Sequence, residues 1–188
     1  MPYSPQTLDN PRTRHGLARK IRPALLIPAL WLSTLAIPAG AVEPTAPERL
    51  DEVAKRGAQV MPFDLEKTSH IFTATPTGGV QRVVAKDAND SEQIRHIRAH
   101  LSEIAARFAQ GDFSGPQAIH GADMPGLAVL KSRAAEIRFR YRELPDGAQI
   151  HYSADDPALV GAIHHYFSAQ LHDHGRHAME GHGRHHAE

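Results

Sequence analysis

Across residues 136–152 the chain reads EIRFRYRELPDGAQIHY, and its apolar residues fall on one side only. Ile137, Phe139 and Tyr141 alternate with Arg138, Arg140 and Arg142, the period of two that sends successive side chains to opposite faces of a strand. Pro145-Asp146-Gly147 supplies a turn, and Ala148, Ile150 and Tyr152 continue the apolar face. A hairpin with one apolar and one charged face buries the first and leaves the second wet.

The remaining elements complete such a layer. SHIFTATPTGGVQRVVA (residues 69–85) reads as two strands joined around Thr77-Gly78-Gly79. In NDSEQIRHIRAHLSEIAARFAQG, Asp90 and Gln93 have capping-box spacing, and Gly111 is placed to end the helix. Its stripe of Ile94, Ile97, Leu101, Ile104 and Phe108 has helical period. A loop with Gly115, Pro116 and Gly121 leads to a short helix over Met124–Arg133, with Asp123 as its cap. Asp156-Pro157 opens a last helix reaching about His172, with Leu159, Val160, Ile163, Phe167 and Leu171 inward. The order strand–strand–helix, short helix, strand–strand–helix predicts an α+β fold. It is a two-layer sandwich whose four-stranded antiparallel sheet comes from two strand–strand–helix units, with the helices on one face.

The flanks differ from this domain. Residues 12–22 (RTRHGLARKIR) are basic, 24–37 (ALLIPALWLSTLAI) are apolar, and Ala39-Gly40-Ala41 follows, the pattern of a cleaved export signal over residues 1–41. The apolar run is short for a membrane span, and Pro28 and Pro38 interrupt it. A soluble periplasmic or secreted product beginning at Val42 is expected, with no membrane association after cleavage. Initiation at Met61 would instead give a cytoplasmic form. Residues 42–60 read as a Pro-rich linker with a short helix over Pro47–Lys55, residues 61–172 as the α+β domain, and 173–188 as a flexible histidine-rich tail. Beyond the signal, 16 basic residues face 20 acidic ones, which argues against a nucleic-acid partner.

The chain contains no cysteine, which excludes thiolate metal sites, disulfides and thiol nucleophiles. Its 14 histidines are unevenly spread. Eight of them, His164, His165, His172, His174, His177, His182, His185 and His186, lie in the last 25 residues. The end of the chain is nearly a doubled unit, HGRHAMEG followed by HGRHH. Neutral imidazoles suit zinc, copper and nickel, and glycines let a chain wrap several of them round one ion. The metal ligands expected are His172, His174, His177, Met179, His182, His185 and His186, the Met179 thioether favouring reduced copper. Two other readings stay open: a solvated end, and a pH-responsive one, since histidine gains charge near pH ~6.5.

Three further groups carry possible chemistry. His96 and His100 lie at i, i+4 with Glu103 one turn on, a chelating spacing. Arg98 and Arg107 beside them disfavour a cation, and a solvated flank is the plainer reading. His120 and Asp123 sit in the Gly/Pro-rich loop, where a base with its orienting carboxylate, aided by His100, would serve a small enzyme or anion-binding domain. His165 and His172 are about 10 Å apart along a helix axis, too far to chelate one ion alone. His70 reads as a hydrogen-bonded strand residue facing the same cleft as His100 or His120. The arginine row offers an anion or partner surface, or a solvated face.

Five segments, MPFDLEKTSHIF, TGGVQRVVAKD, IRAHLSEIAARFAQGDFSGPQAIHGADMPGL, YRELPDGAQIHY and DPALVGAIHHYF, resemble a group of small bacterial proteins. Some of that group carry the label aspartate carbamoyltransferase. The resemblance spans residues 61–174 and implies little chemistry, because the group has no established activity to carry over. Carbamoyltransferase activity is not expected here. That enzyme's Ser-x-Arg-Thr-Arg phosphate loop and His-Pro-x-Gln element are missing, and Arg12-Thr13-Arg14 lies inside the export signal.

The expectation is therefore an exported protein, more plausibly a non-enzyme, that buffers or delivers copper, zinc or nickel through its histidine arm. Metal ions and a metal-donor or acceptor protein would be its partners. The alternative is the small enzyme or anion-binding domain, with the tail incidental.

Overall fold

The structure, a computed structural model, describes residues 46–181. The expected export signal, residues 1–41, and His182, His185 and His186 lie outside the described residues. Helix α1 spans Pro47–Val60, β1 Thr68–Thr75, β2 Gly78–Ala85, α2 Ser91–Ala109, α3 Ser114–His120 and α4 Leu127–Ser132. Strand β3 spans Arg138–Leu144, β4 Gly147–Ser153, α5 Pro157–His174 and β5 Ala178–Glu180. Short 3-10 turns occupy Leu65–Lys67, Ala134–Glu136 and Gly175–His177.

The fold is α+β, but its sheet is mixed and has five strands in the order β3-β4-β2-β1-β5. The four expected strands pair antiparallel. The expectation of a four-stranded antiparallel sheet is corrected by β5, which pairs parallel with β1, Ala178 opposite His70 and Glu180 opposite Phe72. Gly175, at φ +48°, redirects the chain after α5. The Gly181 amide then donates to the Phe72 carbonyl at 2.9 Å. No helix among the described residues is long and apolar enough to cross a membrane.

Phe72, Val83, Ala148, Ile150 and Tyr152 form the buried sheet face, all 1% exposed or less. Helix α2 covers β2, β3 and β4, and α5 covers β1, β2 and β5. The Asp90 carboxylate accepts from the Gln93 amide at 3.1 Å, as the capping-box spacing predicts. The Gln93 side chain is used differently, accepting from the Asp64 amide and tying the 61–64 segment to α2. Asp156 caps α5 by accepting from the Ala158 amide. The other face carries Arg138, Arg140, Arg142 and His151, all exposed, as the alternation predicts.

Three expectations are revised. Residues 47–60 form a full helix of the domain rather than a linker: Val53 is 0% exposed, and a Cβ on Gly57 would lie 3.2 Å from Leu65. Asp123 does not cap the short helix. Gly126 takes the N-cap position in the left-handed region, φ +79°, because its backbone passes so near α5 that a Cβ would sit 2.3 Å from the Ala162 carbonyl oxygen. Residues 173–180 are the end of α5, a tight turn and β5, so the first copy of the histidine repeat belongs to the fold.

Candidate functional site

Alternation along β1 sends Thr68, His70 and Phe72 inward, so His70 reaches the helix-covered side at 1% exposure. Helix α3 ends on His120, itself 2% exposed. The buried stripe of α5 runs past its apolar residues through Tyr166, Gln170, Asp173 and His174, and the turn that follows buries His177. Thus one strand, one short helix and the end of α5 deliver four histidines to one region. The rings of His70 and His174 have centroids 5.0 Å apart, and so do those of His120 and His174.

The carboxylate of Asp173 organises one side. Its Oδ2 lies 2.9 Å from His120 Nδ1. Arg49 Nε and Nη2 donate to its two oxygens at 2.8 and 2.6 Å, and Arg49 Nη2 also donates to the His120 carbonyl at 3.2 Å. A carboxylate accepts, so His120 Nδ1 carries the proton of this bond, and in the neutral tautomer that fits it Nε2 is the nitrogen with the lone pair. Burial pushes the Asp173 carboxyl up; the hydrogen bonds from His120 and Arg49 outweigh it and bring it to about 2. On the other side His177 Nε2 lies 3.3 Å from Glu66 Oε1, and Glu66 also pairs with Arg176.

Two ring nitrogens in this interior, His70 Nε2 and His177 Nδ1, are buried and make no hydrogen bond. Such groups are rare in folded proteins, since desolvation without a partner is unfavourable. Burial, reinforced by His100, His177 and His120, pushes the His70 imidazolium down to about 3. Burial, with His70 and His120, lowers His174 in the same direction. Both rings are therefore neutral at neutral pH, the form that ligates metals. No three His, Asp or Glu side chains among the described residues already stand in ion-holding geometry.

The expected residues are thus partly gathered. His174 and His177 join the site, together with His70 and His120. His100 borders it: the Phe63 ring stands edge-on to His70 at 5.9 Å and to His100 at 5.6 Å. Met179 is half exposed and pairs with Ile71 on the open sheet face, away from the histidines. His172 bonds the Ser168 carbonyl through Nδ1. It lines a cavity of about 320 Å³ with His165, Arg49 and Asp173. His96 sits 3.7 Å from Glu92, and Glu103 is exposed and pairs with Arg107. His164 Nε2 donates to the Thr75 and Gly78 carbonyls, clamping the β1–β2 turn. Asp123 is exposed and makes no hydrogen bond with His120. Asp173 is the partner of His120, 53 residues further along the chain.

Asp173, Arg49 and Glu66 were missed by sequence reasoning. A signal existed for the first: Tyr166, Gln170 and Asp173 continue the inward period of α5 with polar residues, which marks a buried polar site rather than a helix end. Arg49 lay in a stretch read as linker and carried no such signal. Comparison of the chain with family models, curated proteins and solved structures finds no match.

Proposed function

We propose that this chain is an exported transition-metal-binding protein that buffers or delivers zinc, copper or nickel. Its ion is held in the histidine interior rather than by a free tail alone. The observation that carries this reading is the pair of buried, partnerless nitrogens, His70 Nε2 and His177 Nδ1, beside a His120 whose tautomer is set by Asp173. Carboxylate-oriented imidazole is the usual surrounding of a metal-ligating histidine.

The ring spacings suit it. With Zn–N near 2.0–2.1 Å and tetrahedral angles, two imidazoles on one ion have centroids ~5 Å apart. His174 has that separation from both His70 and His120. Small rotations of these rings about their side-chain torsions would complete a three-histidine site, with His177 as a fourth donor. With no cysteine in the chain, the donors are imidazole and carboxylate, which suit zinc, nickel and divalent copper. The second copy of the repeat, His182, His185 and His186, follows directly and would exchange the ion with a donor or acceptor protein.

The alternative built on His120, Asp123 and His100 has less support, because Asp123 makes no hydrogen bond with His120, whose partner is Asp173. Calorimetric titration with zinc, copper and nickel tests the reading on three proteins: the full chain, a version ending at Gly181, and a His70→Gln, His174→Gln double variant. Tight one-to-one binding that survives truncation and is lost in the double variant is expected. Binding lost on truncation and kept in the double variant would return the site to the tail.

A further inference from the structure

His70, His120, His174 and His177 are all between 1% and 7% exposed, so an ion bound among them must cross a layer of protein to arrive. Near the start of α1, the cavity of about 320 Å³ ends on the bidentate Arg49–Asp173 pair, and Asp173 in turn holds His120. The other end of α1 is built differently. A cleft of about 190 Å³ lies among the end of α1, helix α2 and the start of α3, with His100, Glu103 and Arg107 in its wall. His100 is half-buried at that wall, and Glu103, one turn on, is exposed. Phe63 packs edge-on against His100 and also edge-on against His70, so its ring touches both the imidazole of the cleft wall and the buried one.

Phe63 belongs to neither a helix nor a strand. It sits between α1 and the Leu65–Lys67 turn, in the segment whose Asp64 amide is held by the Gln93 side chain. Buried at 5% exposure, its ring is in contact with both the half-buried His100 and the fully buried His70.

Resting on the metal-binding reading above, we propose that this cleft is the entrance to the histidine interior. His100 and Glu103 form a transient site for a divalent transition-metal cation, and Phe63 is the gate through which the ion passes to His70. The i, i+3 spacing of imidazole and carboxylate puts both donors on one helix flank. Capture is ligand exchange: waters leave the ion as His100 and Glu103 bind, and His70 then displaces them. Arg107, which pairs with both Glu103 and Asp112, keeps the Glu103 carboxylate engaged until a cation competes for it.

A port alters rates and leaves the stored state unchanged. The experiment is stopped-flow uptake and release of Zn2+ by the full chain against a chromophoric chelator, with equilibrium affinity measured on the same samples. For His100→Ala, uptake and release should both slow about tenfold, with affinity changed less than about threefold. Phe63→Leu should speed both, and its urea midpoint shows whether it remains folded. Unchanged rates in His100→Ala would overturn the port. Faster release alone would also overturn it, since His100 would then be a ligand of the stored ion. If the wild-type chain binds no zinc, or the His70→Gln, His174→Gln variant binds it equally well, the metal reading fails and the port fails with it.

Discussion

At His70 burial decides both chemistry and stability. Its imidazolium is pushed from the usual 6.5 to about 3, first by burial and then by the neighbouring His100, His177 and His120. Above pH 6.5 the ring is neutral in folded and unfolded chains alike and contributes no pH dependence. Between 6.5 and about 3 the unfolded chain binds a proton that the folded one refuses, so stability falls with falling pH by up to about 1.4 kcal/mol per pH unit. His174 is shifted in the same direction and adds to the loss. Asp173 acts lower: its stabilisation is complete above the ordinary 3.8 and disappears as pH falls towards about 2. In the metal-free chain with chelator present, the urea midpoint should drop steeply from pH 6.5 to 4.5. His70→Leu should flatten that drop, because it removes the group that titrates only when unfolded. Parallel pH profiles for the two proteins would mean that His70 is hydrated in the folded state.

At the scale of elements, what was legible followed the period of apolar residues. The β3–β4 hairpin, the stripe of α2 with its Asp90 cap, and the Asp156-Pro157 start of α5 all follow from local pattern and local hydrogen bonds. What was not legible depended on partners distant in sequence. SGPQAIH looks like loop because of Gly115 and Pro116, yet it forms α3 and carries His120. AME carries no strand pattern of its own and pairs only because β1 offers an open edge. The site is likewise non-local: Asp173 reaches His120 across 53 residues, and Arg49 reaches Asp173 across 124. Helix α1 was foreseen at its Pro47 start but read as linker, since PERLDEVAKRGAQV is mostly polar and packs along a narrow line through Val53 and Gly57. If α1 is part of the folded core, Val53→Ala should lower unfolding free energy by about 2 kcal/mol. Exposed Gln59→Ala should stay within about 0.5 kcal/mol. Urea titration of both variants separates an integral helix from a linker, for which neither change would register.

For the whole molecule, the strand order explains why a histidine-rich chain end belongs to a site made by distant elements. Parallel pairing of β5 sets Ala178 against His70, and the residues immediately before β5 carry His174 and His177 inward. Zipping this edge strand onto β1 therefore delivers the arm's imidazoles to the strand's imidazole. Beyond it, Gly181 lies so close to β1 that a Cβ would meet Thr73 Oγ1 at 2.1 Å, which fixes where the first repeat ends. A three-residue edge strand is weakly held by itself, and such segments open at free energies well below global unfolding. An ion bridging His70 to His174 and His177 would oppose that opening in proportion to its occupancy. Free zinc at about 100 times its Kd adds ~2.7 kcal/mol to whatever opening releases it. Hydrogen exchange at the Gly181 amide, which donates to Phe72, should then slow by about 100-fold on zinc addition. In His70→Gln it should be unchanged. Slowing confined to α2 and the 61–64 segment, with Gly181 unaffected, would place the ion at the His100 cleft and leave the arm out of the site.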